Sequence, residues 1–214
     1  MRKRILCFGD SNTWGFTPGL CVRMDENTRW TSLLQKRLGE SYRVIECGLN
    51  GRTTTFDDDV ICCTNGLSVL PYELITHKPL DLLVISLGTN DLKYTDARGS
   101  AKGLEKLICA ALEADEKLSA STKIFSNGAR ILVISPIPYG EGITDGTHPE
   151  RVAEKYGESL RFAEFYEPLC EKYGISFFDA SKVASPSMVD SVHMDQDSHR
   201  CLADALCDVI KHLI

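Results

Sequence analysis

Four short polar stretches stand out along the chain: Gly9-Asp10-Ser11-Asn12, Gly48-Leu49-Asn50-Gly51-Arg52, Gly88-Thr89-Asn90-Asp91 and Asp190-Ser191-Val192-His193. Between them they hold a hydroxyl, carboxylates, an imidazole, side-chain amides and glycine-flanked backbone N–H groups. A serine hydroxyl is a weak nucleophile until a base takes its proton, and histidine is the base whose pKa suits neutral pH. A carboxylate beside the imidazole fixes its tautomer and stabilises its cation. Attack on a carbonyl creates an oxyanion, which needs preorganised N–H donors. The inventory is that of acyl transfer, on condition that positions 11 and 193 meet in space.

Hydrophobic patterning indicates the elements that would bring them together. Short apolar runs at 5–9, 43–47, 82–87, 131–135 and 175–179 predict strands, and strands apolar at every position are covered on both faces. Helical spacing links Trp30, Leu33, Leu34 and Leu38 up to Gly39, and then Leu104, Leu107, Ile108, Ala111, Leu112 and Leu118. A further helix is expected from Pro149 towards Tyr173, kinked or ended early by Pro168. A last one starts near Asp197 and carries Leu202, Leu206, Ile210 and Leu213. Strands alternating with helices imply right-handed crossovers and a parallel sheet. The expectation is one α/β domain over residues 1–214: a three-layer α/β/α, doubly wound sheet of about five parallel strands, flavodoxin-like in architecture. Such folds bind ligands beyond the carboxyl ends of the strands. Three of the polar stretches directly follow a strand, and the fourth lies just before the last helix.

Composition narrows the classes. A formal charge of −6 with both signs interspersed leaves no basic stripe for nucleic acid. No apolar run approaches the roughly 20 residues of a spanning helix, so no membrane is expected as a partner. The basic start Arg2-Lys3-Arg4 is followed by four apolar residues before Gly9, too few for an export signal. Nine scattered cysteines, an odd number, fit a reducing cytoplasm better than a disulfide framework. They include no C-x-x-C, and adjacent Cys62-Cys63 suit a tetrahedral zinc poorly, so no metal is expected. The G-x-S-x-G elbow, the phosphate-binding loop and G-x-G-x-x-G are all missing after the first strand.

The stretches GDS at 9–11, Gly48 in ECGLNGRTT, GTND at 88–91 and DSVH at 190–193 resemble the four ordered blocks of the SGNH (GDSL-type) serine hydrolases. RILCFGDSNTWGF, RWTSLLQKRLG and PLDLLVISLGTND are most similar to its bacterial arylesterase/acyltransferase branch. The resemblance implies Ser11 as nucleophile, His193 as general base and Asp190 as its orienting acid. It implies an oxyanion hole made by the N–H groups of Ser11 and Gly48 and the amide of Asn90. It also implies a small-molecule ester substrate, short-chain acyl or aryl, with acyl transfer to alcohols alongside hydrolysis, and no cofactor. Carbohydrate O-acetyl esters and thioesters are the alternatives within the same triad. Relatives in that branch often associate, which makes a homo-oligomer an expectation, with Trp14, Phe16 or the 136–148 loop at an interface.

Each residue also has a bland reading. Ser11 alone would be a turn or cap. Asp195 competes with Asp190, whose three-residue spacing from His193 matches the family. Asp10, Asn12, Trp14 and Arg52 are candidates for substrate contact. Asp10 equally reads as bonding local amides, Arg52 as bracing the oxyanion loop, and Trp14 and Phe16 as core or as a wall of the acyl pocket. Among the other histidines, His77 reads as a helix end, His148 as a loop residue, and His199 and His212 as exposed on the last helix. Asp57-Asp58-Asp59 reads as a solvated turn or helix start. Loops 12–29, 52–70 and 136–148 are expected to shape the pocket. The rival from another class is a non-catalytic flavodoxin-like binding domain.

Overall fold

The computed structural model describes residues 2–58, 61–119, 121–141 and 149–214, with backbone alone at 149–152. Five strands, β1 (Lys3–Gly9), β2 (Tyr42–Gly48), β3 (Leu82–Ser86), β4 (Ile131–Ser135) and β5 (Ser176–Asp179), form one parallel sheet in the order β2-β1-β3-β4-β5. The helices are α1 (Ser11–Trp14), α2 (Trp30–Leu38), α3 (Gly66–His77), α4 (Ala97–Leu112), α5 (Ala114–Leu118), α6 (Pro149–Ser159), α7 (Phe162–Tyr173) and α8 (Gln196–Leu213). Short 3₁₀ turns follow β3 at Thr89–Lys93 and β5 at Ala180–Lys182.

Successive side chains of a strand point to opposite faces, and here both faces are buried. Leu6, Phe8, Leu83, Ile85, Ile131 and Val133 pack with Leu70 and Leu74 of α3, Leu104, Leu107 and Ile108 of α4, and Phe162 and Tyr166 of α7. Ile5, Cys7, Leu82, Val84, Leu132 and Ile134 pack with Trp30 and Leu34 of α2 and Leu202, Leu206 and Ile210 of α8. Each such side chain contributes about 1.5–3 kcal/mol by leaving water. The apolar runs of β1, β3 and β4 thus form the central layer of a three-layer α/β/α fold, as their uninterrupted hydrophobicity predicts.

Four expectations shift. None of the residues of β2 is fully buried, because it is the edge strand and has a neighbour on one side only. The pattern expected as one helix from Pro149 to Tyr173 is two helices, broken ahead of Pro168, which lies inside α7. There the Ser159 hydroxyl donates to the Tyr156 carbonyl at 2.7 Å and accepts from the Tyr139 N–H at 2.9 Å, tying the break to the segment after β4. The pattern from Leu104 to Leu118 likewise divides into α4 and α5 at Glu113. The 52–70 loop ends early, since Asn65 caps α3 by accepting from the Ser68 N–H at 3.3 Å. In the 136–148 loop, residues 142–148, His148 included, fall outside the described residues, as does Asp59.

Order 2-1-3-4-5 reverses direction between β1 and β3, which makes that the crevice of the sheet. The register sets Gly9 level with Gly48 on one side and Ser86 on the other. The segments leaving β1, β2 and β3 therefore emerge side by side.

Candidate active site

Ser11 is the first residue of α1, directly beyond β1. Its N-cap, Asp10, accepts from the Asn12 N–H at 3.0 Å, which turns the chain sharply out of the strand. His193 comes from the segment between β5 and α8. Its Nε2 lies 2.9 Å from Ser11 Oγ, and its Nδ1 lies 2.7 Å from Asp190 Oδ2. The other oxygen of Asp190 accepts the N–H groups of Val192 at 3.0 Å and His193 at 2.9 Å, so the carboxylate holds both the ring and its backbone. Burial would raise the Asp190 pKa, but its bonds to His193 outweigh that and keep it below the ordinary carboxylate value. An ionised Asp190 fixes the proton on Nδ1 and leaves Nε2 to accept from the Ser11 hydroxyl. Asp195 takes a different place: it caps α8 by accepting from the Ser198 N–H at 2.8 Å.

The donors sit across the crevice. Gly48 ends β2 against the backbone of α1, where a Cβ would fall 2.2 Å from the Trp14 nitrogen, so only glycine permits this approach to the nucleophile turn. Asn90, in the turn after β3, donates one amide hydrogen to the Arg52 carbonyl at 3.1 Å and keeps its second one. The Arg52 guanidinium bonds the Gly9 carbonyl at 2.9 Å and the Cys47 carbonyl, and lies 4.2 Å over the Phe8 ring. Arg52 is thus a buried brace between the ends of β1 and β2.

Of the four residues considered for substrate contact, Asn12 has its side-chain amide engaged in the framework, and Arg52 bonds it through Nη1 while its buried Nε has no partner among the described residues. Asn12 accepts from the Met194 N–H at 2.9 Å and donates to the Val192 carbonyl at 3.4 Å, clamping both neighbours of His193. Asp10 is buried behind the nucleophile, where burial pushes its pKa up to about 6 against bonds from Asn12 and Thr89 and the nearby His193 and Arg52 charges. Trp14 is half-buried with the Arg23 guanidinium 5.5 Å over its ring.

Three further residues bear on the site. Phe16 stacks on the His193 ring at 4.2 Å between centroids. Glu46 gathers donors beside the end of β2. Asp91, beside Asn90, is a buried hub: it accepts from the Thr54 N–H (2.8 Å), the Thr54 hydroxyl (2.6 Å) and the Ser100 hydroxyl (2.7 Å), and burial pushes its pKa up to about 6. It joins the turn carrying Asn90 to the loop whose Arg52 carbonyl holds the Asn90 amide. The one sequence signal for Glu46 is an acidic residue between Ile45 and Cys47 inside a strand run. His199 departs from expectation outright, being fully buried in α8 with Nδ1 accepting from the Trp30 N–H at 3.2 Å. Asp57 and Asp58 lie in an irregular stretch, not the expected turn or helix start, with Asp58 accepting from the Ile61 N–H and the Tyr94 hydroxyl.

A nucleophile turn, an imidazole and an amide-lined crevice at the switch point of this sheet define a serine hydrolase of the SGNH class. The chain belongs to the GDSL-like lipase/acylhydrolase family, whose model matches residues 7–201, and is a carboxylic ester hydrolase of that family. An aryl esterase of M. smegmatis superposes with a TM-score of 0.89 at 35% identity, over 99% of this chain and all of that one. A carbohydrate acetylesterase from Sinorhizobium meliloti gives 0.92 at 30% identity over the whole of both chains. A carbohydrate acetylesterase family member from the same organism gives 0.88 at 35% identity, over 99% of this chain and 98% of that one. No curated protein sequence matches. The family sets aside the non-catalytic binding domain. Among the described residues no helix is long and apolar enough to cross a membrane.

Proposed function

We propose that Ser11, His193 and Asp190 act as a catalytic triad on short-chain acyl or aryl esters. The carrying observation is the pair of contacts at 2.9 and 2.7 Å that joins hydroxyl to imidazole and imidazole to carboxylate. His193 Nε2 takes the Ser11 proton as Oγ attacks the carbonyl carbon, and Asp190 stabilises the imidazolium that results. The oxyanion is held by the N–H groups of Ser11 and Gly48 and by the unused amide hydrogen of Asn90. His193 then returns the proton to the leaving alcohol, leaving an acyl group on Ser11. Water attacks that ester with His193 again as base, or an alcohol takes the acyl group in its place. Aryl and acetyl esters are both supported as substrates by the relatives above. A cytoplasmic setting fits nine free cysteines.

Turnover of p-nitrophenyl acetate by Ser11→Ala tests the triad. Loss of at least about 10⁴-fold in kcat is expected, and retained turnover removes Ser11 from its role. A panel pairing aryl acetates with acetylated sugars then separates the two substrate classes.

A further inference from the structure

Glu46 is a charged residue in an edge strand, two positions before Gly48. Its carboxylate accepts from Arg29 at 3.2 and 2.9 Å, from the Ser32 hydroxyl at 2.8 Å, from the Thr31 hydroxyl and from Arg23 at 3.2 Å. Burial opposes its ionisation, but these bonds prevail and hold its pKa below the ordinary value. Two of the donors belong to the entry of α2, and both arginines reach back to the hairpin that follows the nucleophile. Arg23 donates to the Trp14 carbonyl at 2.7 Å and forms an antiparallel bridge with Phe16. Arg29 donates to the Met24 carbonyl at 2.7 Å, and its stem fills the space beside Gly15, where a Cβ would fall 2.4 Å away. Phe16 opens that hairpin and lies flat on His193, with 28° between the rings.

We propose that Glu46 is a positioning residue for the catalytic imidazole, acting through Arg23 and Arg29 on the hairpin and through Phe16 on the His193 ring. The chain of contacts has a chemical logic. Asp190 and Ser11 hold the two nitrogens of the ring, but hydrogen bonds along its edge leave rotation about that axis to be restrained by packing on its face. Phe16 supplies that packing, and Phe16 sits on a short hairpin with little core of its own. A carboxylate receiving charge-assisted bonds from two guanidinium groups anchors such a hairpin where neutral bonds would not. Its place two residues before Gly48 also ties the imidazole support to the strand that ends in the oxyanion hole.

The proposal rests on the triad reading and is tested by a double-mutant cycle on protein whose activity depends on Ser11. Glu46→Gln keeps the volume and removes the charge; Phe16→Leu removes the ring face. Each should lower kcat on p-nitrophenyl acetate by roughly ten- to a hundredfold with KM nearly unchanged. The double variant should be no slower than the worse single one, because both act through one contact. Arg23→Gln, which detaches the hairpin while leaving Arg29, Thr31 and Ser32 on Glu46, should reproduce the kcat loss with a smaller fall in Tm. Multiplied losses in the double variant, or a Glu46→Gln protein that loses Tm while keeping kcat, overturn the relay. Neither outcome touches the triad, which stands or falls with Ser11→Ala.

Discussion

Asn90 donates one amide hydrogen to the Arg52 carbonyl and has one left for an oxyanion. The first bond orients the second, so the donor is fixed before a substrate arrives. Asn90→Ala should therefore lower kcat by about 10²–10³-fold, the usual loss for one such donor, with little change in KM. Steady-state kinetics on p-nitrophenyl acetate reads both constants, and a loss confined to KM contradicts the assignment. Gly48 is constrained differently, since a Cβ there would overlap the Trp14 nitrogen at 2.2 Å. Gly48→Ala must push β2 away from the nucleophile turn. We expect a folded protein, its Tm lowered by several degrees, with kcat reduced at least as much as in Asn90→Ala. Unchanged turnover would falsify the close approach. At this scale the sequence is most readable: the motif blocks contain Ser11, His193 and Asp190, which the fold brings into hydrogen-bond contact, and Gly48 and Asn90, which it places at the neighbouring strand ends. Asn12 and Arg52 were recognisable as neighbours of the site but not by role, because the partners of their polar groups lie across the fold.

Among the elements, strands were read more accurately than helices. A buried strand announces itself by hydrophobicity at every position, and β1, β3 and β4 do so within a residue or two of their observed ends. Helix breaks depend on tertiary hydrogen bonds. The gap between α6 and α7 is set by Ser159 meeting Tyr139, and Pro168 sits beyond it without ending α7. His199 differs from the sequence expectation for a related reason. Its polarity suggested the outer face of α8, whereas its Nδ1 accepts the N–H of Trp30 at the start of α2 and joins the two helices of one layer. Burial lowers its pKa from 6.5 to about 4. The folded state thus keeps His199 neutral while the unfolded chain takes up a proton below pH 6.5. The stability this group provides above pH 6.5 is lost as pH falls through that window, by up to about 3 kcal/mol. His199→Gln retains an acceptor for Trp30 and cannot titrate. The Tm advantage of the native protein over this variant should shrink as pH drops from 7 to 4.5. A pH-independent difference in thermal melts would argue against a buried neutral imidazole.

For the whole molecule, the decisive property is sheet order. Segments that leave β1, β2 and β3 together face a loop that returns from β5, and the distance along the chain between Ser11 and His193 becomes a hydrogen bond. That the chain would be a parallel α/β sheet with its polar clusters at the strand ends followed from periodicity. That β2 would be the half-exposed edge did not: Arg43 and Glu46 interrupt its apolar residues, but the central strand β1 also opens on charged Lys3 and Arg4, so only a strand's neighbours decide its place. The same order puts Asp91 under Thr54 and Ser100, so the two sides of the proposed oxyanion hole share one buried carboxyl. Removing it should loosen both halves together: Asp91→Ala is expected to lower kcat by at least about tenfold and to expose the turn at residues 89–93 to faster hydrogen exchange. Activity loss without local exchange would place its role elsewhere.

The most direct test of the account is covalent capture of the nucleophile. A serine-directed fluorophosphonate should add one label to the native protein, on the tryptic peptide spanning residues 5–23, whose single serine is Ser11. The label should be absent from Ser11→Ala and strongly slowed in a His193→Ala variant. A label on any other peptide, or undiminished labelling of either variant, contradicts the claim that His193 activates Ser11 for attack on a carbonyl.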